Sequence, residues 1–92
     1  MSVQRRKNGE VAFIFERKPS PTRVFLVGDF NDWNPNAKRM VRSKDGSFRA
    51  RLQLTPGDYE FRFLVDEQWV SDPTTEQQRN PFGSSNSIVR VA

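Results

Sequence analysis

Ninety-two residues make room for one domain and no second core, and hydrophobic residues are only 35% of them, although eight Phe can fill a small interior. The 15 Lys and Arg stand against 11 Asp and Glu, a net charge of +4 spread along the chain, so charge alone draws no nucleic-acid surface. The chain has no Cys and no His, which removes disulfides, thiolate metal sites and the commonest general base.

The amino terminus holds the basic run Arg5-Arg6-Lys7 and no apolar segment of the signal-peptide kind. Residues 1–9 are expected as a flexible tail, and the cytoplasm as the compartment. No apolar run is long enough to span a membrane. Val11 to Phe15 and Arg23 to Val27 are apolar enough to be strands covered on both faces. Between them, the two prolines of Lys18-Pro19-Ser20-Pro21 exclude a helix interior. The polar stretch Gly28-Asp29-Phe30-Asn31-Asp32-Trp33-Asn34-Pro35 follows and reads as a loop. From Ser47 to Leu54 the residues alternate, with Phe48, Ala50, Leu52 and Leu54 on one face. From Tyr59 to Asp66 they alternate again: Tyr59, Phe61, Phe63 and Val65 face inward, Glu60 and Arg62 outward, with Leu64 as an exception. Thr55-Pro56-Gly57-Asp58 between them suits a tight turn, so the two strands are expected to form a β-hairpin. A turn at Asp66-Glu67-Gln68 precedes a short strand at Trp69-Val70. Residues 71–86 read as a long polar loop, and Ser87 to Val91 as the last strand. Six to seven short antiparallel strands in one domain, residues 1–92, predict an all-β sandwich of immunoglobulin type.

Catalysis is not expected. Sugar hydrolysis needs two carboxylates across a cleft, and Asp29, Asp32, Asp66 and Asp72 are available. Asp and Asn in turns, however, commonly bond their own backbone. A calcium loop counted from Asp29 would put Met40 where a Glu ligand belongs, with no Gly at position 34, so that motif fails. No glycine loop suited to phosphate is present, and no cofactor or metal is expected. The unusual residues are aromatic: Trp33 in one polar loop, Trp69 after another turn, Phe82 ahead of the last strand. Loop aromatics either plug the ends of a sandwich or offer a flat platform. Indoles suit the C–H face of a pyranose, and Arg, Asn and Ser suit its hydroxyl rim.

The segments FLVGDFNDWNP, YEFRFLVDEQWVSDP and NPFGSSNSIVRV occur in that order from about Arg23 to Val91. Together they resemble carbohydrate-binding module family 48, which includes the glycogen-binding domain of the AMP-activated protein kinase β subunit and the amino-terminal modules of isoamylases and branching enzymes. The resemblance implies an immunoglobulin-like (early-set) sandwich that binds α-glucan without catalysis. It implies that Trp33 and Trp69 stack on glucose. Arg62 stands where the family has a hydroxyl-binding lysine, and Phe82, Ser84 and Asn86 stand where it has leucine, threonine and asparagine. Arg for lysine changes donor geometry, and Glu67 replaces a glycine in the turn that aims Trp69. The expected partner is an α-glucan polysaccharide, glycogen or starch-like, or a maltooligosaccharide. A catalytic domain or protein partner is also compatible with the family; membrane and nucleic acid are not expected. The alternative is a protein-interaction or regulatory module, or an accessory domain of an α-glucan-processing enzyme, with a degenerate sugar site.

Overall fold

The computed structural model describes residues 2–6, 8–79, 81 and 84–92. Two antiparallel sheets face each other. One is built from β1 (Ser2–Arg5), β2 (Glu10–Phe15), β4 (Val41–Arg42) and β5 (Phe48–Gln53), in the order β1-β2-β5-β4. The other holds β3 (Val24–Gly28), β6 (Gly57–Val65), β8 (Glu76–Arg79) and β9 (Ser85–Val91), in the order β3-β6-β9-β8, with β7 (Gln68–Val70) added to β6. The one helical piece among the described residues is a 3-10 turn, Asp29–Asn31. None of their helices is long and apolar enough to cross a membrane.

The alternation seen in the sequence makes the core. Val11, Phe13, Phe15, Phe48 and Ala50 of the first sheet meet Val24, Leu26, Phe61, Phe63, Val65, Val89 and Val91 of the second. Phe13 meets Phe61 edge-on at a centroid distance of 5.0 Å, and Phe15 lies 5.2 Å from Phe63. Such aromatic pairs add to the stability that burial supplies. Ala12 and Ile14 are buried on the other face of β2, as the continuous apolar run predicts.

Three differences from the sequence reading have physical causes. First, β5 and β6 do not form a hairpin. The segment after Gln53 carries the chain from one sheet to the other: β5 pairs with β2 and β4, and β6 pairs with β3, β7 and β9. A period of two fixes which face is apolar but not which strand supplies the hydrogen bonds. Gly57, at φ 151, supplies the backbone freedom for that crossing. Second, Ser2–Arg5, read as tail, pair with Val11–Ile14, and Val3 packs against the core. Third, the polar stretch after Ser71 includes β8, whose residues are all exposed; an edge strand with no buried face has no hydrophobic period to reveal it.

The second sheet positions everything that follows. β6 is nine residues long and uses its edges in sections. Along one edge, β3 pairs with Phe61 to Val65. Along the other, β9 pairs with Gly57 to Phe61 and β7 with Phe63 to Val65. Because Phe61 pairs with both Gly28 and Ser87, β9 must lie opposite β3. β7 and β9 therefore sit end to end on one edge of β6, which brings Trp69 and Asn86 near the same outward residue, Arg62.

Candidate functional site

Trp33, Arg62, Trp69 and Asn86 line one open hollow of about 220 Å³ on the outer face of the second sheet. Each is held there by a different local device.

Trp33 is fixed by its polar neighbours. Asp29 accepts the indole Nε1–H at 2.8 Å with one carboxylate oxygen. Its other oxygen accepts the backbone N–H of Glu60, also at 2.8 Å. β3 has already ended at Gly28, so Asp29 takes the place of a strand partner for Glu60 while it aims the indole. Asn31 closes the turn: its Oδ1 accepts the Gly28 N–H at 3.1 Å and its Nδ2 donates to the Leu26 carbonyl at 3.0 Å. Asn34 accepts the N–H of Asn36 at 3.0 Å. The local-bonding role expected of loop Asp and Asn thus holds at Asn31 and Asn34, whereas Asp29 bonds an indole and the backbone of a distant strand instead. Asp32 and Trp33 both lie in the left-handed region, at φ 56 and 57. Asp tolerates that conformation; a bulky Trp there carries strain on the order of 1 kcal/mol, which the turn's bonds over-determine. Gly28 is required by close approach. A Cβ there would lie 2.5 Å from the Glu60 carbonyl oxygen and 2.9 Å from both Phe30 and Phe61.

Trp69 is aimed by a tight hairpin. Asp66 and Glu67 link β6 to β7 with φ 45 and 71, the left-handed pair of a type I′ turn. Asp66 holds this turn against the start of β3. Its carboxylate accepts the backbone N–H of Arg23 at 2.8 Å and that of Thr22 at 3.1 Å. Those two bonds stabilise the anion and hold its pKa below the ordinary value, the Arg23 bond having the larger effect. Beyond β7, Ser71 Oγ donates to the Ser85 carbonyl at 2.6 Å, and the buried Ser87 Oγ accepts the Asp72 N–H at 2.7 Å. β7 is thereby tied to the start of β9. Trp69 remains 45% exposed, the largest aromatic surface that is presented to solvent among the described residues.

Arg62 and Asn86 stand between the indoles. The Arg62 guanidinium lies 5.9 Å from the Trp69 ring centroid, within reach of a cation–π contact. Its Nε is shielded from solvent without a hydrogen-bond partner. Asn86 donates from Nδ2 to Glu60 Oε1 at 3.2 Å.

Of the residues singled out in the sequence, the structure brings these four together. Ser84 sits half-buried just before β9 and is not part of the lining. Phe82 lies outside the described residues. Sequence reasoning missed Glu60, which holds Asn86, although its outward register two places from Arg62 was visible. It also placed Asp29 in the turn without seeing that it steers the indole. Among the described residues no group of three His, Cys, Asp or Glu side chains converges as a metal-ligand set. The arrangement offers two flat apolar rings, a cation, an amide and a carboxylate beside a shallow, open floor. That set suits a flat ligand with a hydroxyl rim.

A family profile described as the glycogen recognition site of AMP-activated protein kinase matches residues 11–92. Among curated proteins, the chain is 35% identical over 78 residues to the 5'-AMP-activated protein kinase subunit beta-1 of Sus scrofa, covering 85% of this chain and 62% of that protein. It is 39% identical over 70 residues to Protein FLOURY ENDOSPERM 6, chloroplastic, of Oryza sativa subsp. japonica, covering 76% of this chain and 13% of that one. The subunit beta-2 of Homo sapiens is 34% identical over 68 residues, covering 74% of this chain and 24% of its own. The chain therefore spans between 13% and 62% of the length of these relatives.

Proposed function

The chain belongs to the family described as the glycogen recognition site of AMP-activated protein kinase, and from that premise we propose that it is a non-catalytic module that binds α-glucan, glycogen or starch-like. The observation that carries the reading is the convergence of Trp33, Arg62, Trp69 and Asn86, from separate parts of the chain, on one open hollow. Trp33 and Trp69 stack on the C–H faces of glucose. Arg62 and Asn86 bond the hydroxyl rim, and Glu60 orients Asn86.

Affinity for short oligosaccharides is modest. Removing on the order of 100 Å² of apolar area from water contributes roughly 2.5 kcal/mol. A few hydrogen bonds add about 1 kcal/mol each, and association entropy costs several kcal/mol. Dissociation constants of roughly micromolar to millimolar follow, and tighter use needs long polymers or linked modules. The relatives are longer proteins, two of them named as subunits of a kinase, which favours a targeting role that brings an attached or associated protein to glucan. One relative is named as chloroplastic, so the compartment does not follow from family membership.

Retardation in native gels containing glycogen or amylopectin, with dextran as control, tests the reading. The wild-type protein is expected to be retarded, Trp69→Ala to run freely with an unchanged unfolding midpoint, and Trp33→Ala to run freely while still folded, its midpoint lowered by no more than the loss of the bond to Asp29. Free migration of the wild type in both α-glucans would refute it.

A further inference from the structure

A second, smaller hollow of about 120 Å³ is lined by Arg23, Phe25, Asn36, Leu64, Asp66 and Glu67. It lies on the same outer face as the first. Phe25 on β3 pairs with Leu64 on β6, and Leu64 pairs with Trp69 on β7. Phe25, Leu64 and Trp69 thus form one row across three adjacent strands, at roughly 4.7–4.9 Å per strand. Trp69 borders the first hollow; Phe25 and Leu64 floor the second. Arg62 and Leu64 are successive outward positions on β6, roughly 7 Å apart along the strand. Trp69 therefore stands at the boundary of the two hollows, bordering the first and paired with Leu64 of the second.

Phe25 and Leu64 are both only partly buried, two large apolar side chains on the outer face. Around them stand donors and acceptors: the Arg23 guanidinium, the Asn36 amide and the Glu67 carboxylate, the first and last of these 3.8 Å apart. An apolar floor inside a polar rim repeats the chemistry of the first hollow on a smaller scale.

We infer that this second hollow is an extension subsite for the same glucan chain, occupied only by oligosaccharides long enough to reach past Trp69. The inference rests on the α-glucan reading of the first hollow. It makes chain length a property that the site senses. Short oligosaccharides engage Trp33, Arg62, Trp69 and Asn86 alone, and longer ones add contact with Phe25 and Leu64. The apolar floor supplies the added affinity, and Asn36 and Arg23 orient the ring.

Isothermal titration of the wild type, Phe25→Ala and Asn36→Ala with maltotriose and with maltoheptaose tests it, alongside thermal unfolding of each. The wild type is expected to bind maltoheptaose more tightly than maltotriose. Phe25→Ala should weaken maltoheptaose roughly 3- to 10-fold and leave maltotriose unchanged, and Asn36→Ala should weaken it in the same selective way by a smaller factor. Equal losses for both sugars would mean that Phe25 only supports the first hollow, and would overturn the inference. So would wild-type affinities in both variants. If Phe25→Ala lowers the unfolding temperature so far that titration fails, Leu64→Gln replaces it, with the same outcomes read in the same way. Absence of wild-type binding to either sugar would remove the α-glucan reading itself and the subsite with it. Binding of both with equal affinity would remove the subsite alone.

Discussion

Replacing Asp29 with alanine separates what the loop does for the fold from what it does for the ligand. Its carboxylate accepts the Trp33 indole N–H and the Glu60 amide N–H, each at 2.8 Å. A hydrogen bond to a charged acceptor contributes ~1.5–3 kcal/mol when sheltered and ~0.5–1.5 kcal/mol when water competes. Asp29 is exposed, so the lower range applies, and the two bonds together contribute roughly 1–3 kcal/mol of stability. Binding is affected through order. An untethered Trp33 must be immobilised when sugar stacks on it, at a cost of ~0.5–1.5 kcal/mol. That corresponds to a Kd raised about 2- to 12-fold. Titration with maltoheptaose and urea unfolding of the same preparations measure the two effects. Asp29→Asn keeps one acceptor oxygen and should fall between wild type and Asp29→Ala in both. A lowered urea midpoint with wild-type affinity would refute the reasoning. Asp29 would then close the loop without aiming the indole.

Glu67→Gly should raise stability by roughly 1 kcal/mol (range about 0–1.6), because the left-handed backbone costs a non-glycine residue ~1–2 kcal/mol and the freer unfolded chain takes back ~0.4–1 kcal/mol. The exposed Arg23–Glu67 pair at 3.8 Å adds almost nothing to offset this, and a lower melting temperature would show that the turn is not strained at Glu67. Phe61→Ala should cost roughly 3–5 kcal/mol, the range for large-to-small changes in a filled core, and an unchanged urea midpoint would contradict the contacts of Phe61 with Phe13 and Phe63. The Asp66 pKa is depressed in the folded chain below its ordinary 3.8, so around that pH the unfolded chain binds more protons. Its contribution to stability is complete above the ordinary carboxylate range and is lost as the pH falls through 3.8 toward the folded value. Asp66→Ala should accordingly lower the urea midpoint at pH 7 and by a smaller margin near pH 3; an equal drop at both would show that its bonds do not depend on charge.

The inward residues of β2, β3, β5 and β6 were legible in the sequence because each strand carries an unbroken apolar face. Their partners were not. The register of Phe48 to Gln53 is the same whether its neighbour is β2 or β6, and Pro56-Gly57 serves a sheet crossing as readily as a hairpin. β8 was invisible because Glu76 to Arg79 bury nothing. The candidate site divides in the same way. Trp33 and Trp69 announce themselves as large rings in polar surroundings, and Arg62 as the outward residue of an alternating strand. Glu60 and Asp29 do not, since their roles depend on contacts with Asn86 and Trp33 that only the folded sheet creates. Phe25 reads as an ordinary apolar residue of a covered strand and Leu64 as an exception to the polar outward positions of its strand; only the pairing of β3, β6 and β7 sets them beside Trp69.

The crossing between β5 and β6 also bears on how the binding surface comes into being. Strands adjacent in the chain that lie in opposite sheets give no early local structure, and folds dominated by distant pairings form slowly. Among the described residues two local strand pairs carry site residues: the tight hairpin β6–β7, with Arg62 and Trp69, and the neighbouring strands β8–β9, with Asn86. Trp33 and Asn86 join only when β3 and β9 close on the two edges of β6. A partly folded chain therefore holds half of the hollow, and ligand selects the completed sandwich alone. Ligand at about 100 times its Kd would raise the stability of the whole domain by about 2.7 kcal/mol. On the proposed reading, glucan would be a folding ligand as well as a target: the polymer that the module would grip would also guard it from unfolding and from proteolysis for as long as it stayed bound.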